Sequence, residues 1–362
     1  MDTAPKKSIL NADIPIGRVS LTQKALFAKH LAVTLHSGLT VVEALNIAAD
    51  SAQGKLARAI RGIQKTVEAG RPLSSALADY PRIFSGLFVQ ATYAGETSGT
   101  LPENLENIAT ELEKEKELVS KIKGAMVYPV IVLIATFFLA MGVAFFVLPK
   151  IIPLFEGLHV KLPPTTRALI AVSHFIDAWG WQLFWGVIAG VIVFSFLVRR
   201  SFAKPITHWL FLHTPILKDL VRGANLARFC HTLGTLLKSG LNIDEALAIT
   251  RDSLGNYYYR SALTVVSARI RKGSKLSDGL DDYKSLFPLI VTRMVKVGEE
   301  SGKFEETLFY LAQFYETEVD AATKTLSTAI EPVLLLFIGV LVGGLALSII
   351  TPIYEITGNL HK

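Results

Sequence analysis

The chain has 362 residues, enough for two domains, and 51% of them are hydrophobic, with a mean hydropathy of +0.41. This composition excludes an ordinary soluble protein. The formal net charge is +6, but the basic residues are dispersed among acidic ones, so nucleic-acid binding is not predicted. The single cysteine, Cys230, excludes an internal disulfide and a cysteine-based zinc site.

The first 123 residues are predicted to form an N-terminal arm and a bundle of short helices. Residues 1–20 are assigned to the arm, where Lys6 and Lys7 are not followed by an apolar run, so a cleavable signal peptide is not expected. In residues 21–123, apolar side chains recur at helical spacings between turn residues. Strand signals are weak throughout the chain, and we therefore predict an all-α fold.

One helix start in this bundle carries a capping signal. Thr40 and Glu43 have the spacing of a capping box, in which both side chains bind free backbone N–H groups at the start of a helix. Asn242 and Glu245 occupy the matching positions in the second half of the chain. Capping is the favoured role of Glu43 and Glu245, and a partner contact is the alternative.

Three stretches of the chain contain no Asp, Glu, Lys or Arg: residues 124–149, 178–198 and 332–354. A helix needs about 20 apolar residues to cross roughly 30 Å of hydrocarbon, so we predict transmembrane helices at 124–149, 178–198 and 329–352. A buried core helix, the alternative, is typical of runs of about 10 to 14 apolar residues. The segments between and after them are predicted as a periplasmic loop at 150–177, a cytoplasmic linker at 199–224, a second cytoplasmic bundle at 225–328 and a periplasmic tail at 353–362.

The second bundle repeats the first. Phe27–Ala48 aligns with Phe229–Thr250 at an offset of 202, with ten of 22 positions identical, where unrelated sequences would share roughly one or two. After one inserted residue, the register continues at an offset of 203, through Gly70 and Gly273. A period this long indicates a duplicated domain rather than a solenoid.

The distribution of basic residues predicts the topology. Of the Lys and Arg residues, 15 precede the first span, three lie in 150–177, 18 lie in 199–329 and one follows the third span. Positively charged loops stay in the cytoplasm, which places the N terminus and both bundles inside and the C terminus in the periplasm. The repeat agrees, because two copies of bundle and span keep the same orientation only if an extra span returns the chain. The predicted fold is therefore a polytopic membrane protein with two homologous cytoplasmic helical bundles and three transmembrane helices.

A second motif is shared by the two bundles: Gly95–Gly99 reads GETSG and Gly298–Gly302 reads GEESG. With Lys303, the second copy superficially resembles a phosphate-binding loop, but the glycine spacing is one residue short and no Ser or Thr follows the lysine. A helix-to-helix turn is therefore favoured. A cation or partner contact at Glu96 and Glu299 is the alternative.

Matching prolines lie near the cytoplasmic ends of the first and third spans, at Pro129 and Pro332. Proline inside a helix removes a backbone hydrogen bond and bends the helix, so we predict a kink where each bundle joins its span. A rigid helix through this point would transmit a push or a rotation to the span.

Polar helix faces in the two bundles carry basic residues that are candidates for docking an ATPase. These candidates are Arg58, Arg61, Arg269 and Arg271. A solvated surface is the default interpretation of such a face, and a docking surface is the alternative.

Small residues in the spans favour close packing of helices. Gly186 and Gly190 in the second span, and Gly339 and Gly343 in the third, have the GxxxG spacing. The predicted spans contain no ionisable residue at the bilayer midplane, where transporters usually carry one. The sequence has no HExxH, GxSxG or CxxC motif and its eight histidines do not repeat between the copies. No catalytic residue, cofactor site or metal site is predicted.

The paired motifs resemble those of the type II secretion F family, the inner-membrane platform proteins of type II secretion systems and type IV pili. Each bundle carries SGL-x3-EAL, G-x2-LS-x2-L and GE-x-SG before a span that begins near a proline, and Leu148–Leu169 is similar to the family's periplasmic segment. The resemblance covers about residues 20 to 354. It implies a non-enzymatic scaffold of the bacterial inner membrane that forms homo-oligomers, engages a hexameric cytoplasmic ATPase and helps to insert or extract pilin or pseudopilin subunits. Other inner-membrane assembly proteins are further implied partners.

Two other classes of function compete with a platform. A transporter or channel would need a polar pathway, which three apolar spans in one chain do not supply. A membrane enzyme would need a nucleophile with its base, or a set of metal ligands, and the sequence offers neither.

Overall fold

The computed structural model describes residues 19–143, 145, 164–198, 200 and 203–359. Every regular element within these residues is a helix, and the all-α prediction is confirmed for them. In chain order the helices are α1 (Leu21–His36), α2 (Val41–Ser51), α3 (Gly54–Glu68), α4 (Leu73–Ala78), α5 (Gly86–Ser98), α6 (Leu101–Gly142), α7 (Pro164–Val198), α8 (Lys204–His213), α9 (Pro215–Lys238), α10 (Ile243–Ser253), α11 (Tyr257–Ile270), α12 (Leu276–Asp281), α13 (Leu289–Ser301) and α14 (Phe304–Asn359).

The described helices divide into two compact units. The first unit lies within Met1–Ser120 and Lys218–Val319, and the second lies within Lys121–Leu217 and Asp320–Lys362. Both halves of the sequence repeat belong to the first unit. Its first copy comprises α1 to α5 with the start of α6, and its second copy comprises α9 to α13 with the start of α14.

The SGL motif ends the first long helix of each copy. Gly38 and Gly240 adopt φ of +84° and +88°, a left-handed conformation that only glycine adopts without strain. In the first copy, the N–H of Leu39 then donates to the carbonyl oxygen of Thr34 at 3.3 Å, a bond that closes the helix end. The repeated motif is therefore a helix stop that turns the chain into the next helix.

Each copy has its own core, built around aromatic rings. In the first copy, the rings of Phe27, Phe84 and Phe88 lie with centroids 5.0 to 6.0 Å apart. In the second copy, Phe229 and Tyr259 each contact Phe287 with ring centroids 5.3 Å apart. Because stacked and edge-on aromatic pairs bury large apolar areas, these clusters hold the short helices of each copy together.

Cys230 is fully buried in the second copy, as is Ala28 at the matching position of the first. Burial raises the pKa of the Cys230 thiol, which keeps it protonated and unreactive at neutral pH. The cysteine is therefore a small packed side chain.

Within the described residues, one helix is long and apolar enough to cross a membrane by length and composition: the stretch Leu101–Leu139 of α6. A shorter apolar stretch of helix covers Leu335–Gly344. Helix α7 begins at Pro164, inside the predicted periplasmic loop. Most of the N-terminal arm and of the segment Leu148–Leu169 lies outside the described residues. The three-span topology stays a prediction.

Candidate functional site

The carboxylate of the GETSG motif binds the start of a neighbouring helix. Glu96 accepts hydrogen bonds from the backbone N–H groups of Leu73 and Ser74, at 2.5 and 3.1 Å, and from the Ser74 hydroxyl. Leu73 and Ser74 are the first two residues of α4 and form the LS pair of the G-x2-LS-x2-L motif. The two motifs are therefore two sides of one contact.

The second copy repeats this contact. Glu299 accepts hydrogen bonds from the backbone N–H groups of Leu276, at 2.7 Å, and Ser277, at 3.3 Å. These two residues begin α12. A carboxylate at a helix start satisfies N–H groups that have no partner within the helix, so each motif pair ties α4 or α12 to the helix that carries the glutamate.

The glycines of the same motif allow two helices to approach closely. A Cβ atom at Gly95 would lie 2.8 Å from the Cα of Leu101, and one at Gly298 would lie 3.1 Å from the Cα of Phe304. The last glycines of the motifs, Gly99 and Gly302, end α5 and α13 with φ of +73° and +71°. The GE-x-SG motif thus combines a close helix contact, a carboxylate clamp and a helix stop.

Glu43 and Glu245 occupy first turns of matching helices but make different contacts. Glu43 accepts from the backbone N–H and the hydroxyl of Thr40 at 2.9 and 2.8 Å, and its own N–H donates to the Thr40 hydroxyl at 3.3 Å. The backbone hydrogen bond and then the hydroxyl lower the pKa of Glu43. Glu245 lies exposed in the first turn of α10, where the side chain of Asn242 makes no capping bond.

The two copies meet at a buried polar cluster that the sequence did not indicate. Glu111 of α6 is almost fully buried and accepts hydrogen bonds from the hydroxyls of Thr232, at 2.8 Å, and Thr235, at 3.2 Å, both on α9. Its carboxylate also contacts Nδ1 of His231. A single carboxylate of the first copy therefore holds one face of the first helix of the second copy.

The environment of His231 changes its proton affinity. Burial by itself lowers the pKa of His231, but the hydrogen bond and charge of Glu111, aided by Glu316, outweigh burial and raise it, against the opposing charge of Lys114. A raised pKa in the folded state means that the protonated imidazole stabilises the contact. That stabilisation is complete below the ordinary histidine pKa of 6.5 and is lost as the pH rises through the folded-state value.

Ion pairs surround this cluster. Arg228 of α9 contacts Glu115 of α6 at 3.0 Å, and Lys114 of α6 contacts Glu316 of α14 at 3.5 Å. Phe314 takes the place of Glu111 in the second copy, so this cluster is not among the features that repeat between the copies. The cluster was missed for that reason, although this mismatch between aligned positions could have drawn attention to it.

The candidate docking arginines lie on exposed surfaces of α3 and at the end of α11. Arg58 and Arg61 are exposed on α3 and share a face with Lys55 and Lys65. In the second copy, Arg269 pairs with Asp282. Arg271 is exposed as well. Lys55, Arg58, Arg61 and Lys65 thus form an exposed basic face of α3, which we call the α3 basic stripe.

The candidate residues in the predicted spans lie in long helices. Helix α6 continues past Pro129, and α14 continues past Pro332. Within the described part of the chain, no atom lies within 4 Å of a Cβ atom built on any glycine of the two GxxxG pairs, Gly186, Gly190, Gly339 and Gly343. Kinks at the prolines and helix packing at the glycines stay predictions.

No group of three metal-binding side chains comes together among the described residues. The repeated carboxylates Glu96 and Glu299 accept hydrogen bonds from neighbouring donors, and the partly buried imidazole of His231 contacts Glu111. These carboxylates and the histidine therefore make contacts between helices of the chain.

Comparison with known proteins gives one family over both copies. A sequence profile described as "Type II secretion system (T2SS), protein F" matches residues 27–149 and 229–352. These two matches begin at the two aligned phenylalanines of the repeat and extend through the first and third predicted spans.

Curated relatives align over nearly the whole chain. "Type IV pilus assembly protein PilC" of Thermus thermophilus is 38% identical over 345 residues, covering 94% of this chain and 84% of that protein. The PilC protein of Myxococcus xanthus is 33% identical, covering 98% of this chain and 86% of that protein. "Type II secretion system protein F" of Pseudomonas aeruginosa is 30% identical, covering 93% and 84%.

Proposed function

Because the chain belongs to the family of type II secretion system protein F, we propose that it is the inner-membrane platform of a type IV pilus or type II secretion machine. The observation that carries the proposal is the match of both copies to one family of secretion and pilus assembly proteins. In this role the chain is a scaffold: it holds a cytoplasmic assembly ATPase and hands pilin or pseudopilin subunits into or out of the bilayer.

The side-chain contacts of the first unit support a scaffold. The residues that repeat between the copies serve as clamps and helix stops, as Glu96 and Glu299 illustrate. The carboxylate of Glu111, buried between the copies, accepts hydrogen bonds from two hydroxyls of the second copy. A rigid pair of bundles is what a docking platform requires, because partners bind with less loss of freedom to a surface that is already ordered.

The ATPase is proposed to dock on the α3 basic stripe. Lys55, Arg58, Arg61 and Lys65 form one exposed face of α3, and the described structure gives Arg58 and Arg61 no ion pair. A surface of one charge sign attracts a partner of opposite charge and sets its orientation. We therefore assign an acidic surface of the ATPase as the partner of this stripe, and Arg269 with Arg271 as a second candidate surface.

Two helices are proposed to link the bundles to the membrane. Helix α6 runs without interruption from Leu101 to Gly142, and α14 runs from Phe304 to Asn359. Each therefore joins bundle residues to an apolar segment in one helix, with Pro129 or Pro332 between. A helix transmits a displacement along its axis, so motion at the bundle would reach the span and the pilin helices beside it.

Deleting the gene is expected to abolish surface filaments or secretion of folded proteins, while the assembly ATPase and the prepilin stay at their normal levels. Electron microscopy of cells, assay of secreted proteins and immunoblots of the two partners measure the outcome. A plasmid copy of the gene restores the phenotype. Normal filaments and normal secretion in the deletion strain, with a change in solute or ion uptake instead, would favour the transporter alternative.

Reversing the charge of the α3 basic stripe is expected to weaken recruitment of the ATPase. The double variant Arg58→Glu, Arg61→Glu should lower the amount of ATPase that co-purifies with the full chain by about tenfold, because like charges then face each other. The amount of chain in the membrane should not change. Arg82→Glu, at an exposed position of the same copy outside the stripe, is the matched control. If the amount of co-purified ATPase is unchanged both in Arg58→Glu, Arg61→Glu and in Arg269→Glu, Arg271→Glu, then neither surface docks the ATPase.

A further inference from the structure

The two copies in the first unit contact each other through different faces. The first copy contributes face A, on its fifth and sixth helices (α5 and α6), and the second contributes face B, on its first and second helices (α9 and α10). Glu111 of face A binds Thr232 and Thr235 of face B, and α5 packs against α10. Leu87 of α5 is also buried, although it does not belong to the core of its own copy. The contact is therefore head-to-tail, with face A of one copy on face B of the other.

Since the chain is duplicated, each face occurs twice, and the second face A is uncovered. Leu87 is 5% exposed, whereas its counterpart Ile290 on α13 is 45% exposed. Glu111 is buried, whereas its counterpart Phe314 on α14 is exposed. The same positions that bury the first copy against the second thus present large apolar side chains to solvent in the second copy.

The second face B, on α1 and α2 of the first copy, is uncovered as well. Thr235 is 3% exposed, whereas its counterpart Val33 is 59% exposed. Leu26 and Ile47, the counterparts of Arg228 and Ile249, are also exposed. One free face A and one free face B therefore remain on each chain, in the positions that already bind each other inside it.

We propose that these two free faces bind each other between two copies of this chain. Helices α13 and α14 of one chain dock on α1 and α2 of the next, with the same pairing of faces that joins α5 and α6 to α9 and α10 within a chain. The partner is a second copy because the chain itself contains a formed example of the contact, and both halves of a second example are uncovered.

The side chains change together on the two free faces. Inside the chain, the acidic Glu111 meets the hydroxyl of Thr235; on the free faces, Phe314 stands in place of the acid and Val33 in place of the threonine. At these two positions a polar pair is therefore replaced by an apolar pair, while Lys29 and His30 stand in place of His231 and Thr232 beside them. A cleft of about 200 Å³ also opens on face B, between Leu26 and His30 of α1 and Ala48 of α2.

The geometry has a consequence for assembly. A head-to-tail contact uses different surfaces on the two partners, so it generates a closed ring or an open chain, and the smallest ring is two chains joined through both pairs of faces. Each chain has one free face A and one free face B and so makes two such contacts. The proposal therefore goes beyond membership of an oligomer, because it names which surfaces meet and excludes symmetric pairing through either of them.

Crosslinking in native membranes tests the proposal. All chains carry Cys230→Ala, which copies Ala28 of the first copy and leaves no other cysteine. One chain carries Val33→Cys and a second, with a different tag, carries Phe314→Cys. The counterpart side chains, Thr235 and Glu111, lie 3.2 Å apart, but a glutamate is longer than a cysteine, so a short bismaleimide is used rather than direct oxidation.

The expected result is a crosslinked pair that carries both tags when the two chains are produced together, and no crosslinked pair when either is produced alone. Replacing Val33→Cys by Glu68→Cys, at an exposed position of α3, should give no product. Adding Ile290→Asp to the Phe314→Cys chain should lower the product at least fivefold, because the exposed position tolerates a charge in the free chain but not in the contact. The proposal would be overturned by absence of the mixed product, by a product between two Val33→Cys chains, or by a mixed product that Ile290→Asp does not reduce. A third protein crosslinked to either cysteine would also overturn it, because that face would then bind the third protein.

Discussion

Replacing Glu111 by alanine is expected to lower the free energy of unfolding of the first unit by about 3 kcal/mol, because it leaves a partly buried histidine and two buried hydroxyls without their acceptor. The three donors are His231, Thr232 and Thr235, on one face of α9. For a unit of this size, the change corresponds to a fall of roughly 6–12 °C in Tm. Thermal unfolding of the full chain in detergent measures it.

Glu113→Ala is the matched control, two residues away on the same helix. Glu113 pairs with Lys29 at 3.4 Å, but both side chains are exposed, so we expect a loss of no more than about 1 kcal/mol. Of the two substitutions, only Glu111→Ala should also change how Tm depends on pH. Because the folded-state pKa of His231 is raised, the difference in Tm between the unchanged chain and Glu111→Ala should be largest below pH 6.5 and shrink as the pH rises through the folded-state pKa. Equal effects of the two substitutions, or a difference independent of pH, would contradict the role assigned to Glu111.

The helical fold and its duplication could be predicted because their signals are local. The SGL of each SGL-x3-EAL motif ends a helix, since Gly38 and Gly240 supply a left-handed backbone conformation within four residues of the helix. The capping box at Thr40 acts over three residues. A signal that lies within one turn of a helix can be recognised in the sequence without knowledge of the rest of the chain.

The partners of the repeated glutamates could not be predicted in the same way. Glu96 lies 22 and 23 positions from the backbone groups that it binds, and Glu299 lies as far from its own. The sequence predicted a helix-to-helix turn at this motif. Gly99 and Gly302 form that turn, but the turn does not explain the glutamate at the second position of the motif. Only packing of α5 on α4 brings the carboxylate to the start of that helix.

The contact between the copies was hidden by the charge of α6. Glu111, Lys114 and Glu115 lie among charged neighbours, a pattern typical of a solvated helix face. The structure buries Glu111 because a second copy of the bundle supplies donors from α9, 120 or more positions away. A duplicated chain hides such a site well, because the residue at the same position of the other copy, Phe314, has different chemistry and a different exposure.

Gly95→Ala is expected to lower the free energy of unfolding of the first unit by about 3 kcal/mol. This corresponds to a fall of roughly 6–12 °C in Tm. The added Cβ would lie 2.8 Å from the Cα of Leu101 and 3.1 Å from the Cβ of Asn104. The first of these atoms is backbone and cannot rotate away, so α5 and α6 must separate. Separation would also draw Glu96, the next residue, away from its donors on α4.

Gly86→Ala, in the first turn of the same helix, separates this clash from the general effect of replacing glycine. No atom lies within 4 Å of a Cβ built on Gly86 and its φ is not positive, so alanine there should be neutral or stabilising by up to about 1 kcal/mol. Thermal unfolding of the full chain compares the two variants, and Gly298→Ala tests the second copy, where the nearest backbone atom is 3.1 Å away and a smaller loss is expected. If Gly95→Ala unfolds at the same temperature as Gly86→Ala, then α5 and α6 do not need the close approach at Gly95. The close helix contact would then not explain why glycine occupies this position of the GE-x-SG motif in both copies.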